Sequence, residues 1–136
     1  MLFRSLHRGD VVLPRGHQEA PLHAVEAAQA MTRALPALNI RMKERGLPAI
    51  EIGIGIHCGP VVVGNMGSPR KLEYTAIGDV VNIASRVQAL TRVAGCSILL
   101  TREAAAGARL QTTAVFAGDF EVKGSVAKVS VYRAPE

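Results

Sequence analysis

Residues 50–57 read IEIGIGIH, and isoleucine at every second position leaves this stretch few structures to adopt. Side chains alternate across a strand, so Ile50, Ile52, Ile54 and Ile56 share one face. Glu51, Gly53, Gly55 and His57 share the other. The first face is an apolar wall. The second is nearly bare at its two glycines, so another backbone or a ligand can come close there. No other stretch carries so strong a strand signal.

A helix precedes this strand. From Pro21 onward, Leu22, Val25, Ala28, Met31, Leu35, Leu38 and Met42 recur at steps of three and four. Pro21 suits a first turn, and Pro36 is expected to kink or split the helix. The basic run RMKERG, ending in Gly46, marks the C-terminus. After a Gly59-Pro60 turn, VVVGNMG (61–67) reads as a second strand, expected to form a hairpin with the first. SPRK is a loop and LEYTAI a third, shorter strand. Asp79 suits the N-cap of a helix running to about Arg92. CSILL is a strand, and TREAAAGA a short helix capped by Thr101. FEVKG and KVSVYR read as two closing strands. Residues 1–20 offer at most a short strand near 11–13. Helices and strands mix with at least one hairpin, so the class is α+β.

A chain of 136 residues is one domain by the usual size prior. At 49% hydrophobic residues it is expected to fold, and with 4% aromatics and no Trp its core must be Val, Ile, Leu and Ala. Sparse aromatics also argue against a base-stacking platform. The net charge is +5, but the basic residues are scattered. That favours a solvated basic surface and no nucleic-acid partner, while suiting a small anionic substrate. Cys58 and Cys96 have no metal-ligand spacing with the four histidines and read as buried, reduced thiols. No run is long enough to span a membrane, and the first residues do not read as a signal peptide. A cytoplasmic location is expected.

The polar residues that stand out are Asn82 and Arg86. Four residues is about one helical turn, so both leave one face. Ile83, Val87 and Leu90 leave by an adjacent face and can pack on a sheet, so the polar pair is expected to rim that stripe. A lone Thr75 lies one strand end earlier. Taken singly, a surface arginine beside a solvated asparagine is the plainer explanation. The loop GNMGSPRK can cradle phosphate through backbone N–H groups, but it is no Walker A loop. Lys123 suits either a phosphate contact or a solvated strand end. Asp10 and Asp79 are possible metal ligands, Asp79 being better explained as a cap.

The motifs in sequence are more specific than any one of them. IGIGIHCGPVVVGNMGSPRKLEYTAIGDVVNIASRVQALT resembles the catalytic domain of the class III adenylate/guanylate cyclases, particularly the bacterial ones. The order is a Gly-alternating strand, H-x-G-x-V-V-x-G-N-x-G, then E-Y-T-x-I-G-D-x-V-N-x-A-S-R. The later FEVKG and VSVYR resemble the family's closing hairpin, and the resemblance runs from about Leu22 to Arg133.

That resemblance implies a ferredoxin-like α+β sandwich working as a dimer, with sites at the subunit interface. It implies conversion of a nucleoside triphosphate to a 3′,5′-cyclic nucleotide and pyrophosphate. By motif position, Asn82 resembles the asparagine that orients the ribose, and Arg86 the arginine that steadies charge at the transferred phosphate. Thr75 matches a purine-reading position, where threonine fits adenine and hence ATP. Lys123 matches the lysine that meets the triphosphate. Mg or Mn ions, held by two aspartates, are expected from the family.

Departures are equally plain. No F-x-D-I-x-G-F-T-like motif, which carries the first strand and first metal aspartate, occurs in this sequence. Gly9-Asp10 resembles a remnant of the K-x-x-G-D hairpin that carries the second, which makes Asp10 a candidate metal ligand. The purine-reading lysine expected four residues earlier is Leu6. The expectation is a divergent segment at 1–20, followed at 21–136 by the C-terminal part of a cyclase domain. Such a chain is expected to be weakly active or inactive alone, as a homodimer, and to need a hetero-partner for a complete site. The alternative is a non-catalytic, cyclase-like module for nucleotide binding or dimerisation. Loss of the first strand is expected to bare a sheet edge near the isoleucine wall, to be met by residues 1–20, dimerisation or poor solubility.

Overall fold

The computed structural model describes residues 2–4, 10–12, 20–59, 62–68, 71–77, 79–121 and 128–135. Its elements are β1 (Leu2–Arg4), β2 (Asp10–Val12), α1 (Ala20–Glu44), β3 (Ile54–His57), β4 (Val62–Ser68), β5 (Lys71–Ile77), α2 (Asp79–Ala94), β6 (Ile98–Thr101), α3 (Arg102–Gly107), β7 (Val115–Phe120) and β8 (Val129–Arg133). The class is α+β, as the sequence leads one to expect.

The isoleucine strand β3 sits inside a six-stranded sheet of order β2-β1-β3-β6-β8-β7. It pairs in parallel with β6, Ile54 opposite Ile98 and Ile56 opposite Leu100. On its other side it pairs antiparallel with β1, Arg4 opposite Gly55 and Leu2 opposite His57. The edge expected to be bare is therefore taken by the chain's own first residues, with β2 beyond them.

Ile54 and Ile56 are fully buried, in a cluster with Leu100 and with Ala20, Ala24, Val25 and Ala28 of α1. Ala104, Ala105 and Ala108 join it from α3 and the residue after it. Small side chains on the helices let them lie close over the isoleucine wall. α2 covers the other face, where Val87, Leu99 and Val131 are completely buried. The glycines of β3 explain its closeness. A Cβ on Gly55 would lie 2.6 Å from the Ala84 carbonyl oxygen and 2.8 Å from the Gln88 Cα. One on Gly53 would collide with the Thr91 hydroxyl. Of the two expected neighbours, backbone or ligand, the bare face receives a backbone.

Two sequence expectations are corrected. The partner of β4 is β5, not the isoleucine strand. They form a separate two-stranded sheet, paired from Val62–Ile77 to Ser68–Lys71. Both edges of β3 are occupied, and two seven-residue strands match end to end. The strand paired with β8 is VFAGDF, which ends at Phe120, and the pairing is shifted between Phe116 and Gly118; the expected strand FEVKG lies outside the described residues from residue 122 onward. Finally, α1 is not split at Pro36 but runs unbroken through it.

The helix ends follow one rule. At α1, Leu47 N–H bonds Met42 O at 2.9 Å and Gly46 N–H bonds Lys43 O at 3.0 Å, with Gly46 at φ 70°. At α2, Gly95 (φ 64°) plays the same part, Cys96 N–H reaching Thr91 O at 3.1 Å. This left-handed close satisfies carbonyls that would otherwise be orphaned. After α3 the position falls to Arg109, at φ 58°, a conformation that costs a non-glycine residue about 1–2 kcal/mol.

His57 ends β3 buried, its Nδ1 2.8 Å from Thr101 Oγ1. That hydroxyl also accepts the Ala104 N–H at 3.3 Å, capping α3 as expected. Burial pushes the His57 pKa below its usual 6.5, with Glu103, 4.0 Å away, pulling partly the other way. A lowered folded pKa means that the unfolded chain binds the proton better. His57 therefore contributes its full stability above pH 6.5 and loses it as pH falls below that value. Urea midpoints at about pH 7.5 and about pH 5.5 are expected to differ more in the native chain than in His57→Gln. Equal differences would contradict this.

Candidate active site

α2 carries the candidate residues at its start. Asp79 lies in its first turn, where a carboxylate meets the positive end of the helix dipole. The buried line of the helix is Val80, Ala84, Val87 and Thr91, at steps of four, three and four. Ile83 and Leu90 flank it, half-buried. Asn82 and Arg86 are exposed, one turn apart.

This differs from the expected rim position. At about 100° per residue, the polar pair points nearly opposite the buried line. The cause is again Gly53 and Gly55. They let the helix backbone at Ala84 and Gln88 rest on β3, so the contact line passes through Ala84 rather than Ile83. Asn82 and Arg86 accordingly face away from their own sheet. Ala89 and Val93 continue the same exposed line toward the end of the helix. Val93, two turns beyond Arg86, is 76% exposed and belongs to no motif.

Thr75 lies on β5, opposite Gly64 of β4, near the strand end that leads into α2. α2 packs against β5, so threonine, asparagine and arginine come from one continuous strand–helix unit. Asp10 begins β2, opposite Arg4, at the outer edge of the large sheet. Lys123 lies outside the described residues.

Among the described residues, no three His, Cys, Asp or Glu side chains come together as a metal site. For ions held by two aspartates the sequence offers one candidate, Asp10, on the outer strand β2. Cys58 and Cys96 are free and half-buried, and burial raises both thiol pKa values. Within the described residues no helix is long and apolar enough to cross a membrane.

With the strand–helix unit and its exposed polar face in place, comparison with known proteins defines the class. The family described as Adenylate and Guanylate cyclase catalytic domain matches residues 11–133, and the chain belongs to it. An adenylate cyclase of Anabaena cylindrica is 38% identical over 103 residues, which are 73% of this chain and 20% of that protein. Among solved structures, the adenylyl cyclase CyaB from P. aeruginosa superposes with a TM-score of 0.77 at 28% identity, covering 90% of this chain and 62% of that one. The guanylyl cyclase Cya2 gives 0.73 at 26%, covering 90% and 61%. The chain thus spans about a fifth of the length of that curated relative.

Proposed function

We propose that the chain is part of a nucleotide cyclase catalytic domain that takes ATP to 3′,5′-cyclic AMP and pyrophosphate in cyclic-nucleotide signalling. Residues 21–136 form the C-terminal part of that domain. The observation that carries the reading is the outward-facing Asn82–Arg86 pair on a helix that directly follows the strand holding Thr75. The 3′-oxygen attacks the α-phosphorus, the bond to the pyrophosphate oxygen breaks, and the hydroxyl proton is lost. Arg86 meets negative charge growing on the α-phosphoryl group. Asn82 holds the ribose in line, and Thr75 reads the adenine edge. Lys123 meets the triphosphate.

Because Asn82 and Arg86 point away from their own sheet, the substrate is shared with a facing subunit. On this reading Asp10 is a single candidate carboxylate for the family's Mg or Mn ions, and a facing subunit with intact aspartates completes the metal site. A cytoplasmic location, where ATP is available and the thiols stay reduced, belongs to the same proposal.

The test is cyclic AMP formation from ATP, and then from GTP, with Mn²⁺. The chain alone is expected to give little product. Mixed with a class III cyclase domain that keeps both metal aspartates but lacks its own asparagine and arginine, it is expected to restore turnover. Robust product from the chain alone would overturn the need for a partner. No product in the mixture, with no ATP bound, would favour a non-catalytic dimerisation module.

A further inference from the structure

The far end of α2 borders a second feature. A cleft of about 610 Å³ opens between the middle of α1, the turn from α2 into β6, and the ends of β7 and β8. Arg33 and Thr32 reach it from α1, Ser97 from the turn and Arg133 from β8. No carboxylate is among its described lining residues. Arg133 spends one N–H on the Ala94 carbonyl, at 2.5 Å, and Arg33 engages no carboxylate among the described residues. Two permanently charged forks thus border one cleft without a described counter-charge. Guanidinium pairs of this kind meet the oxygens of a phosphate with charge-assisted hydrogen bonds. The Ser97 hydroxyl adds a donor, while that of Thr32 is spent on the Gln29 carbonyl, at 2.9 Å.

The volume far exceeds a bare ion, so the anion has a body attached. No aromatic ring is among the described lining residues, so no stacking surface is offered to a nucleobase. We propose that this cleft binds a small non-nucleotide phosphate ester, of the sugar- or glycerol-phosphate type, at a site separate from the Asn82–Arg86 face. Arg33 and Arg133 grip the phosphate, and the polar body lies along Ser97 and the carbonyl end of the Gln29 amide, whose Nε2 donates to the Pro135 carbonyl. The Arg133–Ala94 bond ties the site to the last turn of α2, whose first turns carry Asn82 and Arg86. Any effect on turnover passes through that helix and rests on the cyclase reading. Binding itself does not.

The test needs no cyclase activity. Half-buried Cys96 lines the cleft and Cys58 does not, so their alkylation by N-ethylmaleimide can be compared by mass spectrometry in one sample. Glycerol 3-phosphate, at constant ionic strength, is expected to slow alkylation of Cys96 and leave Cys58 unchanged. It is also expected to shift the backbone amide resonances of Gly95, Cys96 and Ser97. Arg33 is exposed, so Arg33→Gln should keep the fold, checked by circular dichroism, while weakening the apparent affinity roughly tenfold. Absence of protection, or equal protection in Arg33→Gln, would overturn the proposal. Inorganic phosphate binding as tightly as the ester would overturn the ester assignment.

Discussion

Gly55→Val is expected to leave the chain largely unfolded. Any Cβ at this position lies 2.6 Å from the Ala84 carbonyl oxygen and 2.8 Å from the Gln88 Cα, both backbone atoms of α2. A flexible side chain could swing aside; a helix backbone cannot. Relief requires lifting α2 off β3, and that lift uncovers Val87 and Leu99, both fully buried. Overpacking a core typically costs about 1–3 kcal/mol, and burial of each lost aliphatic side chain is worth roughly 1.5–3 kcal/mol more. Together these rival the whole stability of a small domain, about 5–15 kcal/mol. Gly55→Ala should be milder but still costly. Gly46→Ala serves as the contrast. A Cβ there meets nothing within 4 Å, and only the left-handed φ of 70° opposes it, at about 1–2 kcal/mol. Urea unfolding followed by circular dichroism should rank the three variants in that order. A Gly55→Val protein with the native midpoint would mean that α2 does not rest on β3 here.

The same glycines show what a sequence can and cannot disclose. Alternation made the strand legible, and the missing side chains announced a close neighbour. That the neighbour is α2 is a long-range fact with no local sign. Once it is known, the rotation of α2 follows, and with it the outward direction of Asn82 and Arg86. Helix ends were readable because Gly46 and Thr101 act on backbone groups within a few residues of themselves. Strand partners were not. The valine run of VVVGNMG marks a strand but leaves the choice of mate to length, register and free edges. The shifted pairing around Gly118 likewise has no sign in the local pattern of VFAGDF.

For the candidate sites the division is sharper. Thr75, Asn82 and Arg86 were found by motif order, and the fold then joined them in one strand–helix unit. Asp10 was found the same way, and the fold puts it on an outer strand. Arg33 and Arg133 belong to no motif. They lie far apart in the sequence and share a cleft only because α1 and β8 converge beside the α2–β6 turn.

Arg86→Ala is expected to lower cyclic AMP formation roughly 10²–10³-fold in the assembly that restores turnover, the usual consequence of removing one preorganised donor from developing charge. On the proposed reading the guanidinium meets charge that grows only as the α-phosphoryl group is transferred, so the loss should fall on kcat, with KM for ATP little changed. Stability should stay within about 0.5 kcal/mol of native, since Arg86 is exposed and outside the buried line of α2. Arg86→Lys keeps the charge but not the planar fork, so partial rescue is expected. On the same reading Asn82→Ala disturbs substrate geometry, and its smaller loss should also appear in kcat. A variant that unfolds, or one that raises KM alone, would assign Arg86 a structural or a uniform binding role instead. If Arg86→Ala changed neither turnover nor ATP affinity, the outward face of α2 would serve association between chains and not the chemistry.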